Sequence, residues 1–253
     1  MNCCYLSGWI PVIRLRSTDL RLMTGLKCCL CRKNQNGKLE FFGDSVPVEK
    51  FQKLWMYVGK PDPEHDGEYS NSWYSYAWMT ARKLNAQIHD TSQGGISLLD
   101  DTGWFAAPHY KGVESCYDKI EYHPDLGPTK QWDFSKYVPH VVVVAIGQND
   151  NHPVDYMAED YDSEKSKNWR KHYQAFIEKL MQLYPKAQII LATTILCHDK
   201  SWDRSIDEVC TRIGSERGPS FPLHKKMAPA RRDTSVSRKQ SRCRMSLQRI
   251  STH

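Results

Sequence analysis

Long apolar runs are missing from this chain. None of its 253 residues belongs to a stretch near the ~20 consecutive apolar residues that a membrane-spanning helix requires. No membrane partner is therefore expected. The opening Met1-Asn2-Cys3-Cys4 lacks the layout of a signal peptide, so location is left open. Acids nearly vanish from one end: residues 217–253 hold ten Lys/Arg against one acid, so the net +6 divides into +9 there and −3 before it. A nucleic-acid surface would interleave its basic residues with folded structure, whereas this is a terminal block without apolar periodicity. The reading is a basic, disordered tail over 214–253 and no nucleic-acid partner. A second pair of metal ligands is also missing. Cys28-x-x-Cys31 has zinc spacing, yet no Cys/His pair stands at a matching distance, and five of the nine cysteines crowd into residues 3–31. His152 stands close to Asp150, but two neighbours in one loop do not make a ligand set. No metal and no cofactor are expected.

What is present is a globular pattern. A hydrophobic content of 40% suffices for a packed core. Lys38 to Phe42 reads as a short apolar strand that stops at Gly43 and delivers Asp44 and Ser45. Trp73 to Leu84 reads as a helix with Ser72 as its N-cap and Tyr76, Ala77, Thr80 and Leu84 along one face. Ala86 to Asp90 is a short strand leading into Gln93-Gly94-Gly95-Ile96. A long aromatic loop, Trp104 to Tyr137, precedes Val141 to Ile146, whose unbroken apolar, mostly β-branched residues demand burial on both faces of a sheet. Glu164 to Tyr184 carries an apolar stripe of Trp169, Tyr173, Phe176, Ile177, Leu180 and Tyr184. Gln188 to Thr193 follows as a buried strand and Ser201 to Ile213 as a helix. Strands alternating with helices imply a three-layer α/β/α sandwich around a central parallel sheet. Residues 1–36 show no periodicity and are read as an irregular remnant or linker.

Parallel topology gathers the carboxyl ends of strands on one edge, where chemistry collects in open α/β sheets. Three such ends here carry polar residues linked to glycine: Gly43-Asp44-Ser45, Gly94-Gly95 and Gly147-Gln148-Asn149-Asp150. A serine that attacks an ester creates an oxyanion, and that charge needs fixed donors. The backbone N–H groups of Ser45 and Gly95 and the side-chain amide of Asn149 are suited to supply them. Taken singly, Gly95 would equally serve a turn, and Asn149 a loop cap.

In these three blocks the chain resembles the SGNH (GDSL) hydrolase superfamily. Within it, Glu40-Phe41-Phe42-Gly43-Asp44-Ser45, the helix Ser75 to Arg82 and Gly94-Gly95-Ile96 are most similar to carbohydrate esterase family 2. The resemblance covers residues 37 to about 213. It implies a serine esterase that removes acetyl groups from carbohydrates such as xylan, with an acetylated carbohydrate or small acyl ester as substrate. Ser45 would be the nucleophile, and Ser45, Gly95 and Asn149 the oxyanion hole. Asp44 would organise the turn. Trp104 and Trp132 are candidates to line a sugar site. Such esterases are usually secreted. The competing reading is a non-catalytic carbohydrate-binding protein on the same fold.

The departure from the family lies in the general base, a histidine expected in a late loop before a final helix. A serine hydroxyl is a poor nucleophile until something accepts its proton. After Ile213 only His224 and His253 occur, among Arg, Ser, Lys and Pro. The base is unassigned, and the domain over 37–213 is expected to lack its last loop and helix. Three segments can be back-translated so that another frame gives family-like sequence: Cys28 to Gln35, Pro47 to Trp55, and Met227 to His253. The last then contains a histidine, its codon straddling Asp233 and Thr234, followed by an amphipathic helix. The expectation is a frame-damaged acetylesterase of impaired activity.

Overall fold

A computed structural model describes residues 12–16, 37–44, 71–121, 127–193 and 198–216. Ser45, the segment Pro47 to Trp55, the Cys28/Cys31 pair, His224, His253 and the basic tail from residue 217 on lie outside the described residues, whereas residues 214–216, read as the start of a disordered tail, close the helix Lys200–Glu216. The described part holds a five-stranded, all-parallel sheet: β1 (Val12–Arg16), β2 (Lys38–Gly43), β3 (Gln87–Ser92), β4 (Val141–Ala145) and β5 (Gln188–Thr193), in the order β1-β5-β4-β2-β3. The α-helices are α1 (Tyr76–Leu84), α2 (Val113–Cys116), α3 (Tyr156–Glu159), α4 (Glu164–Leu183) and α5 (Lys200–Glu216).

Strand alternation sorts the sheet into two faces. Leu39, Phe41, Val141, Val143, Ala145 and Ile190 meet Ala77 and Ala81 of α1 on one face. Phe42, Val142, Val144, Ile189 and Leu191 meet α4 and α5 on the other. All five residues of β4 are buried, as an apolar strand covered on both faces must be. These faces are the outer layers of an α/β/α sandwich. The α4 stripe is buried as the periodicity requires, with Trp169 stacked on Tyr173 and crossing Trp202 of α5 edge to face. Ser163 caps α4 by accepting the Ser166 N–H, and Tyr184 falls just beyond the helix as its C-cap.

Two details differ from the sequence reading. The helix expected over Trp73–Leu84 is divided: Ser72–Tyr74 forms a 3₁₀ turn capped by Asn71, and α1 begins at Tyr76 with Ser75 as its cap. Asn71 starts the turn, and Ser75, four residues on, both ends it and starts the helix. The second difference is β1, a strand within the stretch that showed no periodicity. It pairs with β5 from Val12 opposite Ile189 to Arg16 opposite Thr193.

The register aligns the carboxyl ends of three strands. Gly43 lies opposite Ser92 of β3 and Ala145 of β4. The segments that leave these three ends therefore start from one row of the sheet.

Candidate active site

The first block ends β2 with Asp44, which is 1% exposed. Beside it on the α1 face lie Tyr76 and Asp90. Burial, and then the charges of Asp44 and Asp90, push the Tyr76 phenol well above its usual range. Burial also raises the Asp90 carboxyl, opposed by the hydrogen bond it accepts from Ser92 Oγ at 2.6 Å. Ser45, the expected nucleophile, is the next residue after Asp44 and lies outside the described residues.

The second block is a turn in which Ile96 donates its N–H to the Gln93 carbonyl. Gly95 holds φ +78, and a Cβ there would stand 2.9 Å from Trp104 Cβ. Both the left-handed backbone and the close neighbour exclude a side chain. The Gly95 carbonyl accepts from the N–H groups of Trp104 (2.8 Å) and Phe105 (3.2 Å). Among the described residues its own N–H meets no acceptor.

The third block follows β4. Gly147 has φ +121, with the Trp169 ring 3.0 Å from where a Cβ would be. It leads into a 3₁₀ turn, Asn149–Asn151, that carries the polar side chains. Asn149 is almost buried, and its Nδ2 donates to the Ile96 carbonyl at 2.9 Å. An amide nitrogen carries two protons. One of them ties Asn149 to the residue after Gly95. The structure thus brings Gly95 and Asn149 together at one edge of the sheet. That pair of neutral donors, one backbone and one side chain, can stabilise an anion that develops on a bound carbonyl oxygen.

Asp150 turns the other way. Fully buried, its two oxygens accept the Leu98 N–H at 3.0 and 2.9 Å, and Oδ1 also takes the Leu99 N–H at 3.3 Å. Burial pushes its carboxyl up to about 6, against the lowering effect of these amides and, beyond ordinary hydrogen-bond distance, of the Trp169 indole. His152 is directed elsewhere again, its Nδ1 lying 2.7 Å from the Gly103 carbonyl. Asp150 and His152 therefore do not converge on one point. Sequence reasoning weighed Asp150 only as a metal ligand beside His152 and set that aside. Its amide partners lie some fifty residues away, and no local signal marks them.

Of the two tryptophans proposed for a sugar site, Trp104 lies at this edge. It is 59% exposed, adjoins Gly95, and stacks on the His152 ring at 3.4 Å between centroids. Trp132 instead packs against His89, whose Nδ1 meets Glu40 Oε1 at 2.9 Å in the middle of β2 and β3. Glu40 precedes Gly43 by three residues, roughly 10 Å of strand. A further imidazole–carboxylate pair, His198 Nε2 to Asp203 Oδ1 at 3.2 Å, lies after β5 where α5 begins. Sequence reasoning did not single it out.

The described blocks thus sit on the carboxyl edge of a parallel sheet covered by helices on both faces. No protein-family model matches the chain. Cellulase/esterase CelE of Acetivibrio thermocellus is 31% identical over 152 residues, 60% of this chain and 16% of that protein. An acetylxylan esterase / glucomannan deacetylase of Cellvibrio japonicus is 28% identical over 131 residues, 51% of this chain and 33% of the relative. The chain therefore spans a third or less of the curated relatives it matches. A family two carbohydrate esterase from Clostridium thermocellum, solved with cellohexaose, superposes with TM-score 0.57 at 26% identity, over 75% of this chain and 53% of that one. The corresponding esterase from Cellvibrio japonicus shares the fold, with TM-score 0.56 at 21% identity, over 83% of this chain and 61% of that one. In sequence and in fold the chain is similar to parts of these esterases.

Proposed function

We propose that the chain is built as a serine carbohydrate esterase acting on acetylated sugars, xylan-like polymers among them. Ser45 Oγ attacks the acetyl carbonyl, its proton passes to a base, and the carbonyl oxygen becomes an oxyanion. The Ser45 and Gly95 N–H groups and the Asn149 amide hold that charge. The bond from carbon to the sugar oxygen then breaks, and the leaving alcohol takes the proton. Water releases acetate from the acyl-enzyme by the reverse sequence of proton transfers. The observation that carries this reading is the Asn149 amide tied at 2.9 Å to the carbonyl of the residue after Gly95, which keeps the two donors together. Trp104, exposed beside Gly95, offers a sugar ring an apolar face to stack on. The relatives' names favour turnover over binding alone.

Activity is impaired for want of a positioned base. Neither His224 nor His253 stands in sequence that resembles the expected late loop. Triads stripped of one member still retain roughly 10³–10⁴ over water through the oxyanion hole and binding. Turnover of a small acetyl ester should therefore be weak, and should fall further in Ser45→Ala. Replacing everything from Met227 onward with the alternative-frame sequence restores a histidine ahead of a helix, and activity should rise. Three proteins decide it: the native chain, the repaired chain, and the repaired chain with its new histidine changed to alanine. Full activity in the native chain, abolished by His224→Ala, would overturn the impairment. Tight sugar binding with no turnover in any of them would leave a binding module instead.

A further inference from the structure

The turn 149–152 binds the loop 96–105 along most of its length. Asn149 holds the Ile96 carbonyl, Asp150 holds the Leu98 and Leu99 amides, and His152 exchanges two bonds with Gly103. The second of these is the Gly103 N–H donating to the His152 carbonyl at 3.1 Å. Trp104 and Phe105 then return to clasp the Gly95 carbonyl. These bonds fix the peptide that joins Gly95 to Ile96, and the Gly95 N–H, carried on the preceding peptide, is joined to it through the Gly95 Cα alone, so its direction depends on where the loop is held. In the middle of that loop the holding group is a carboxylate. It is an acceptor without protons to place, and backbone amides are its partners. Asp150 is 0% exposed and so touches no substrate.

We propose that Asp150 is a positioning residue for the candidate oxyanion hole: its carboxylate anchors Leu98 and Leu99, and through them sets the Gly95 N–H against the Asn149 amide as one unit. The inference rests on the esterase reading for its chemical meaning, but the anchoring is testable without activity. Replacing Asp150 with Asn keeps the shape and puts an NH₂ group where one oxygen faces Leu98. Among the described residues, the titratable group whose charge interaction reaches Asp150 is Tyr156 of α3, its phenol raised first by burial and then by the charges of Asp150 and Asp155.

The test is hydrogen exchange and NMR on the full chain. In Asp150→Asn, exchange at Leu98 and Leu99 should quicken about tenfold or more while Val142 to Val144 of β4 keep or gain protection. The Asn149 side-chain amide signals should shift as well. Unchanged protection at Leu98 and Leu99 overturns the proposal. So does an equal loss in β4, which would make Asp150 a general core residue. Should the variant not fold, the native chain still decides: the Leu98 and Leu99 amide shifts must titrate at the same midpoint as the Asp150 carboxyl carbon, and independent titration refutes the anchoring. Acetyl-ester turnover separates the two claims. Where the native chain turns over, Asp150→Asn should lower kcat with little change in KM, and a KM effect alone counts against positioning. Absence of turnover in the repaired chain as well, with the exchange contrast intact, removes the esterase reading and leaves the anchoring standing.

Discussion

Replacing Asp150 with Asn should alter how the stability of the whole fold depends on pH. The carboxyl is fully buried, and its folded value is raised from 3.8 to about 6, chiefly by burial. A raised acid binds more protons folded than unfolded between those values. Its contribution to stability is therefore complete below the unfolded value and is lost as pH rises through the folded one. Roughly two units at 1.36 kcal/mol each amount to about 3 kcal/mol lost between pH 4 and pH 7. That is a large part of the ~5–15 kcal/mol that holds a typical domain together. Asparagine has no charge to bury, so the variant lacks this term. It does turn an N–H toward the Leu98 amide, at a cost of about 1 kcal/mol. The variant should then be less stable than the native chain by about 1 kcal/mol at pH 4, and more stable by about 2 kcal/mol at pH 7. Depressed carboxyls such as Asp100, lowered by the hydrogen bonds from Gly112, Ser115 and Lys111, run the opposite way. They are common to both proteins and cancel in the difference. Urea unfolding of both proteins at intervals from pH 4 to 7 reads that difference. Parallel curves across the window would show that Asp150 holds no buried charge at neutral pH, and the reasoning would fail.

Four further outcomes follow from the site. In a chain with its late loop restored, Asn149→Ala should lower kcat by roughly 10²–10³ and leave KM nearly unchanged, because the charge it meets develops only in the transition state; a loss confined to affinity would place Asn149 in the sugar pocket. Gly95→Ala meets Trp104 Cβ at 2.9 Å with φ +78, so it should cost about 1–3 kcal/mol in urea unfolding and reduce turnover further than that loss explains. Gly147→Ala, 3.0 Å from the Trp169 ring at φ +121, should cost about the same in stability, and an unchanged midpoint would contradict the packing described for α4. Trp104→Ala should raise KM for an acetylated oligosaccharide more than for a small acetyl ester, and equal effects on both would remove it from sugar contact.

The parts of the fold that could be read from the sequence are those fixed by burial over a continuous stretch. Val141 to Ala145 announced a central strand because residues of one apolar kind on both faces leave no exposed side, and all five are buried. The α4 stripe was legible for the same reason, its period matching the helix over five turns. Where several local choices compete, the sequence leaves the answer open. Asn71, Ser72 and Ser75 can each cap a helix, and only the chain's path decides that Asn71 and Ser75 do so. Strand β1 was illegible because Arg14 and Arg16 interrupt its apolar Val12, Ile13 and Leu15, a mixed pattern that five residues cannot distinguish from chance.

The site divides along the same line. Glycine at 95 and 147 is visible in any reading, yet its necessity comes from Trp104 and Trp169, nine and twenty-two residues further on. Glu40 and Asp150 make the contrast sharper. Both are acids in or just after a buried strand, and both are nearly inaccessible. Glu40 sits mid-strand and faces His89 across the β2–β3 register, where an imidazole shares one oxygen. Asp150 lies beyond the end of β4, where the next loop's amides converge on its carboxylate. Position relative to the strand end turns one carboxylate toward a partly exposed imidazole and the other toward the Leu98 and Leu99 amides. Composition cannot express that difference. It is set by which row of the sheet the acid occupies and by which loop crosses there, so a buried acid beside a strand end calls for its backbone partners to be found before any chemistry is assigned to it.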